Sequence, residues 1–197
     1  LSAQEIRHAL NQGWAVDLLE RLANSKEFKE ATDNGIRDER MADRECVLRF
    51  LAFTITPYTK YKNIKPNGFD SFLNESMAKI NEMKESDIEV LEHQFLRAMR
   101  AALNIFGKDA FRKRYKADGR RNPINKALFE SWSVNLNLLD DNQIECLVKR
   151  KNILDEKFID LMNKQRFNNT ISQATGNTNS VRIRFREIEK LIKEVLS

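Results

Sequence analysis

The chain has 197 residues, 41% of them apolar and 32% charged, with a net charge of +5. That length supports a buried core in one domain or two small ones, and the composition is globular with a heavy charge load. No apolar run approaches the roughly 18 residues that span a bilayer; the longest, Cys46 to Ile55, is broken by Arg49, and no signal-peptide pattern opens the chain.

Helical spacing begins at once. Ser2 and Glu5 have the spacing of a capping box, with Ile6, Ala9 and Leu10 behind them. Gly13 is a break, after which Trp14, Leu18, Leu19 and Leu22 resume the 3.6-residue period. Ser25 caps a short piece holding Phe28, and Thr32-Asp33-Asn34-Gly35 is turn chemistry. The stretch from about Ala42 to Ile55 is apolar around most of its circumference, which predicts a central helix ended by Pro57. Tyr58 to Gly68 reads as an exposed loop. Phe69 or Asp70 starts the next helix, and Ser86 with Glu89 forms a second capping box ahead of the stripe Leu91, Phe95, Met99, Ala102, Leu103 and Phe106. Gly107 stands where a helix-ending glycine belongs. Asp109 to Tyr115 reads as a short basic helix or turn, closed by Asp118-Gly119.

Asn122-Pro123 predicts an N-cap and first-turn proline for a helix through Ile124, Ala127, Leu128, Trp132 and Leu136. Asp140 or Asp141 caps another, running from Ile144 to Met162. A short helix is expected near 168–173, then a loop through Gly176, then a last helix capped by Ser180 with Val181, Phe185, Ile188, Leu191, Ile192 and Val195 inward. The alternating Val181 to Phe185 passes into a helical period and is read as helix. The predicted fold is all-α: a single multi-helix array or bundle of about 8–10 helices, with 108–121 as the place where it would subdivide.

Cys46 and Cys146 lie within helical patterns and read as free thiols of a reducing compartment, which together with the missing leader points to the cytoplasm. A chain that opens directly on a helix cap is expected to be a fragment of a longer protein, lacking an upstream catalytic domain.

No catalytic or metal-binding motif is complete. His8 and His93 are far apart, and the six glycines are single and widely spaced, so neither a metal site nor a phosphate-binding loop can be assembled; no cofactor is implied. The charge is uneven. Residues 108–197 carry nineteen Lys and Arg against twelve Asp and Glu, whereas both earlier stretches are nearly balanced. Lys108, Arg112, Lys113, Arg114, Lys116, Arg120 and Arg121 place seven cations in fourteen residues, with Phe111 and Tyr115 interleaved. Such a patch suits a polyanion. Lys149-Arg150-Lys151 and Arg182, Arg184 and Arg186 would extend it if they converge. Covering apolar surface with cation stems is the competing reading.

Five segments carry a resemblance. Leu1-Ser2-Ala3-Gln4-Glu5-Ile6-Arg7-His8-Ala9-Leu10 resembles an L-N-A-Q-E-I-R-N-A-L signature. Arg40 to Phe53 resembles an R-M-x-D-x-E-x-V-L-R-F-L-A-F helix. Phe72-Leu73-Asn74, Ile105-Phe106-Gly107 with Ala110-Phe111-Arg112, and Asn125 to Glu130 (N-K-A-L-F-E) follow in the same order. The family is that of the GmrSD modification-dependent restriction enzymes, which have a ParB-like nuclease-fold N-terminal domain. Ser2 and His8 depart from the usual Asn at their positions, and the D-G-Q-Q-R motif linked to nucleotide hydrolysis does not occur here. The resemblance implies a C-terminal helical region of a restriction or phage-defence protein. Its partners would be the family's N-terminal domain and DNA, with homo-oligomerisation open. Ser2, Glu5, Arg7 and His8 would then lie at the domain junction, with Arg7 pointing toward the other domain. A helical scaffold without a ligand of its own is the alternative.

Overall fold

The computed structural model describes residues 1–36, 38–63 and 68–197, so the middle of the predicted 58–68 loop lies outside the described residues. Among the described residues there are eleven α-helices and no strand: α1 (Ala3–Leu10), α2 (Trp14–Ala23), α3 (Lys26–Ala31), α4 (Ala42–Ile55), α5 (Gly68–Asn81), α6 (Glu85–Phe106), α7 (Lys126–Asn137), α8 (Asp141–Lys149), α9 (Lys151–Asn163), α10 (Gln165–Ser172) and α11 (Thr178–Leu196). One hydrophobic cluster runs from Ala15 to Val195, so the 108–121 segment does not divide the core. No helix among the described residues is long and apolar enough to cross a membrane.

Local chemistry explains most boundaries. The Ser2–Glu5 and Asp140–Gln143 capping boxes both form. Gly13, at φ +133°, turns the chain from α1 into α2 in a conformation that favours glycine. Asn81, at the end of α5, accepts from the Ala15 N–H at 2.8 Å and caps α2 from outside.

Several expectations shift: Tyr61, in the loop predicted to be exposed, is buried, and α10 begins at Gln165. The helix predicted from Asp140 to Met162 is two helices joined at Arg150, whose guanidinium donates to the Val195 carbonyl at 2.5 Å and holds the break against the end of α11. Ser86 lies inside α6, which starts at Glu85 after Lys84. Asn177, not Ser180, caps α11. Asn125, not Asn122, caps α7, because Asn122 is committed to the preceding loop: its carbonyl accepts from Arg112 and its amide donates to Lys113 O. Ile124 is meanwhile bridged to Arg112.

Two helices occupy the centre. α4 packs against α1, α2, α5, α6 and α7, as its apolar circumference predicted, and α7 packs against α4, α6, α10 and α11. Every residue of α7 from Ala127 to Leu136 is buried, including Glu130, Ser131, Ser133 and Asn135. The small polar side chains tolerate burial by bonding back to their own helix: Ser131 to Ala127 O at 2.7 Å, Ser133 to Phe129 O at 2.6 Å and Asn135 to Ser131 O at 2.8 Å. Aromatic rings fill the space between. Phe53 meets Tyr61, Phe72 and Phe185, and Trp132 meets Phe106 and Phe158.

Candidate functional site

The charged residues of two resembling segments meet inside the core. Arg49 of α4 donates to Glu45 at 2.9 Å and to Glu130 of α7 at 3.0 Å; Lys126 reaches Glu45 at 2.7 Å. Arg184 of α11 completes the network. It binds Glu130, and both side chains are fully buried. Arg184 Nη1 also donates to Thr170 O and Thr175 O, while its buried Nε–H finds no partner among the described residues. Burial pushes the Glu45 carboxyl up, but Arg49 and Lys126 together outweigh this and hold it below its ordinary value. Arg184, grouped in sequence with Arg182 and Arg186 as surface charge, is thus a core residue. A signal was present: Arg184 lies three after Val181 and four before Ile188, on the apolar stripe itself. This network ties α4, α7 and α11 together.

The basic cluster is largely spent on internal bonds. Arg112 is buried and donates to Lys108 O, Asn122 O and Thr32 O, at 3.1, 2.7 and 3.2 Å. Burial, and then the nearby Arg121, pull its guanidinium below the ordinary value. Arg114 is bound by Asp109 and Asp155, and Arg121 by Asp33, with Lys108 4.0 Å from the same carboxylate. The Arg121 hydrogen bond is the main reason that the Asp33 carboxyl sits below its usual range. The segment is a turn, not a helix: Phe111 takes φ +63° and packs its ring on Phe129, with 4.5 Å between centroids. Lys113, Lys116 and Arg120 remain without a carboxylate partner among the described residues, and Lys113 donates to Ser172 Oγ at 2.7 Å. Asn163 and Asn168 bond to the Tyr115 carbonyl and hydroxyl.

The third feature is α1. Arg7 does not point outward. It is buried, bound to Asp70 of α5 and to Gln4 at 2.8 Å, because the face of α1 that carries Gln4 and Arg7 lies against α4 and the turn at 39–41. Ser2 and Glu5 serve the cap, and the backbone bond at Ser2 is the chief reason that the Glu5 carboxyl sits below its ordinary value. His8 is half-buried. What α1 presents outward is apolar. Leu1, Ile6, Leu10 and Trp14 are exposed, half of the eight large hydrophobics that are exposed among the described residues; Leu10 is 75% and Trp14 51% accessible. The Ser2 hydroxyl also donates to Arg40 O at 2.8 Å. Arg40 and its neighbour Met41 both adopt left-handed backbone, φ +56° and +58°, at about 1–3 kcal/mol each.

Among the described residues no group of three His, Cys, Asp or Glu side chains could hold a metal ion. No family model, no curated protein and no solved structure matches this chain.

Proposed function

We propose that this chain is a helical docking platform, the helical region of a GmrSD-type, nucleotide-dependent DNA restriction or defence protein of the cytoplasm, and that α1 seats that family's ParB-like nuclease-fold domain. The observation that carries this is the apolar outer face of α1. Ile6 and Leu10 share one face at i, i+4, and Trp14 follows across the Gly13 turn. Exposed apolar side chains gathered in one short segment are the usual mark of a protein contact. This same segment carries one of the two more specific motifs, and the strained Arg40–Met41 turn is bonded to its cap. Restriction chemistry, on this reading, belongs to the seated domain.

The test is binding of the separately produced ParB-like domain from the parent protein, followed by calorimetry and by Trp14 fluorescence. Ile6→Asp with Leu10→Asp should abolish it, whereas Leu138→Asp with Ile153→Asp, exposed apolar positions elsewhere, should leave it intact. Binding that ignores the Ile6 and Leu10 changes would refute the reading. Self-association that those changes dissolve would instead assign the face to a second copy of the chain.

A second reading, contact with DNA, is favoured by the unpaired Lys113, Lys116 and Arg120 beside the exposed Tyr115. Charge reversal at Lys116 and Arg120 should then lower duplex affinity and flatten its salt dependence, by about one counterion for each phosphate that is no longer neutralised. Arg112→Ala should act on stability instead. A salt slope unchanged by Lys116→Glu with Arg120→Glu would reject this reading.

A further inference from the structure

A cleft of about 310 Å³ opens between the end of α4 and the outer side of α5, on neither the α1 face nor the basic loop. Its walls carry Lys60, Lys62 and Lys79, with Ser71, Phe72 and Glu75 between them. None of the three lysines is in an ion pair among the described residues. Lys79 donates to Thr56 Oγ1, at 3.3 Å. Three lysines and one carboxylate, Glu75, thus line one cleft. An anion placed there is attracted by a net excess of positive charge.

The cleft is also pre-shaped. Tyr61, between the two loop lysines, is buried against Phe53 and Phe72, and its hydroxyl donates to Gly176 O at 2.5 Å. Asn63 is tied to Thr178 Oγ1 at 2.7 Å through its N–H and to Gly176 O at 3.1 Å through its side chain. These bonds pin the Tyr61–Asn63 backbone to the start of α11. Lys60 and Lys62 therefore leave a fixed backbone on either side of a buried ring, which lowers the entropy lost on binding. The cleft's other end is the first turn of α5, where Gly68 and Ser71 line it; a helix start favours negative charge. Phe72 supplies an apolar wall.

We propose that this cleft binds a small phosphomonoester: a dianionic phosphate held by Lys60, Lys62 and Lys79, carrying an apolar or aromatic body that lies against Phe72. The volume falls at the lower end of the range for small-molecule sites, about 300–1,000 Å³, which fits a compact ligand rather than a polymer backbone.

The test is an amide chemical-shift titration of the full chain with inorganic phosphate and with phenyl phosphate. Shifts should concentrate at residues 56–62 and 68–79, and phenyl phosphate should bind more tightly than phosphate. Lys60→Glu with Lys62→Glu should weaken both by about tenfold or more, with an unchanged thermal melt establishing that the fold is kept. Lys84→Glu with Lys151→Glu, exposed lysines near helix starts elsewhere, should leave the affinity unchanged. No saturation by about 10 mM ligand, shifts spread over the cations at 113–121, or equal weakening by the two double variants would overturn the proposal. Displacement of phenyl phosphate by an oligonucleotide at lower phosphate concentration would also overturn it, by assigning the cleft to a polymer.

Discussion

Replacing Glu130 with Gln keeps the shape of the side chain and removes its charge at the centre of the buried network. Arg49 would still hold Glu45 at 2.9 Å, but Arg184, itself without exposed surface, would be left with two backbone carbonyls and no counter-charge. Breaking a buried pair on one side costs about 3–5 kcal/mol, because the surviving charge stays desolvated. For a chain of this size each kcal/mol lowers Tm by about 2–4 °C, so the expected fall is roughly 6–20 °C. Urea unfolding followed by circular dichroism gives the free energy directly. Glu130→Met combined with Arg184→Met removes both charges, and this double variant should be more stable than Glu130→Gln alone. A loss below about 1 kcal/mol for Glu130→Gln would refute the argument. So would a double variant less stable than the single, since uncompensated charge would then not be the cause.

Glu45 binds a proton less readily in the folded chain than in the unfolded one, so its stabilisation is present above the unfolded value near 4.5 and is lost as pH falls through the lower folded value. Lys126→Met removes one of the two cations responsible; the acid unfolding midpoint should move to higher pH, and an unmoved midpoint would count against the pairing. Burial raises the Cys46 thiol to about 12, so iodoacetamide should label the partly exposed Cys146 first and Cys46 only as the chain opens; equal labelling rates in native buffer would contradict this. Gly107 sits at φ +56° with nothing within 4 Å of an added Cβ, so Gly107→Ala should cost only the backbone strain, about 1–3 kcal/mol in urea melts. Asn125→Ala removes the α7 cap and the bond to Ile171 O, with an expected loss of about 1–2 kcal/mol by the same measurement.

Much of the fold was legible because it follows from local chemistry. Apolar periodicity marked α4, whose bounds agree with expectation, and the Ser2–Glu5 capping box and the Asp140 cap are contacts within four residues. Two of the misplaced boundaries share a different cause. Asn122 looks like a cap beside Pro123, but a bond from Arg112 claims its carbonyl. The run from Asp140 to Met162 looks continuous, but Arg150 reaches across to Val195 O. In both cases a partner outside the helix redirected a residue whose local preference was clear.

The candidate surfaces divide in the same way. Helical character, a cation-rich stretch after Gly107 and a first helix beginning at a Ser2–Glu5 cap are all written in the order of the residues. Periodicity and spacing encode those properties within a few positions. Which charges are available is a different matter, and it follows only from how the helices pack. Packing buried Arg7, Arg112 and Arg184, paired Arg114 and Arg121, and left Lys60, Lys62 and Lys79 together around a cleft. Whether a cation is a surface feature or a core strut depends on which carboxylate or carbonyl the fold brings to it, and that is a property of distance in space.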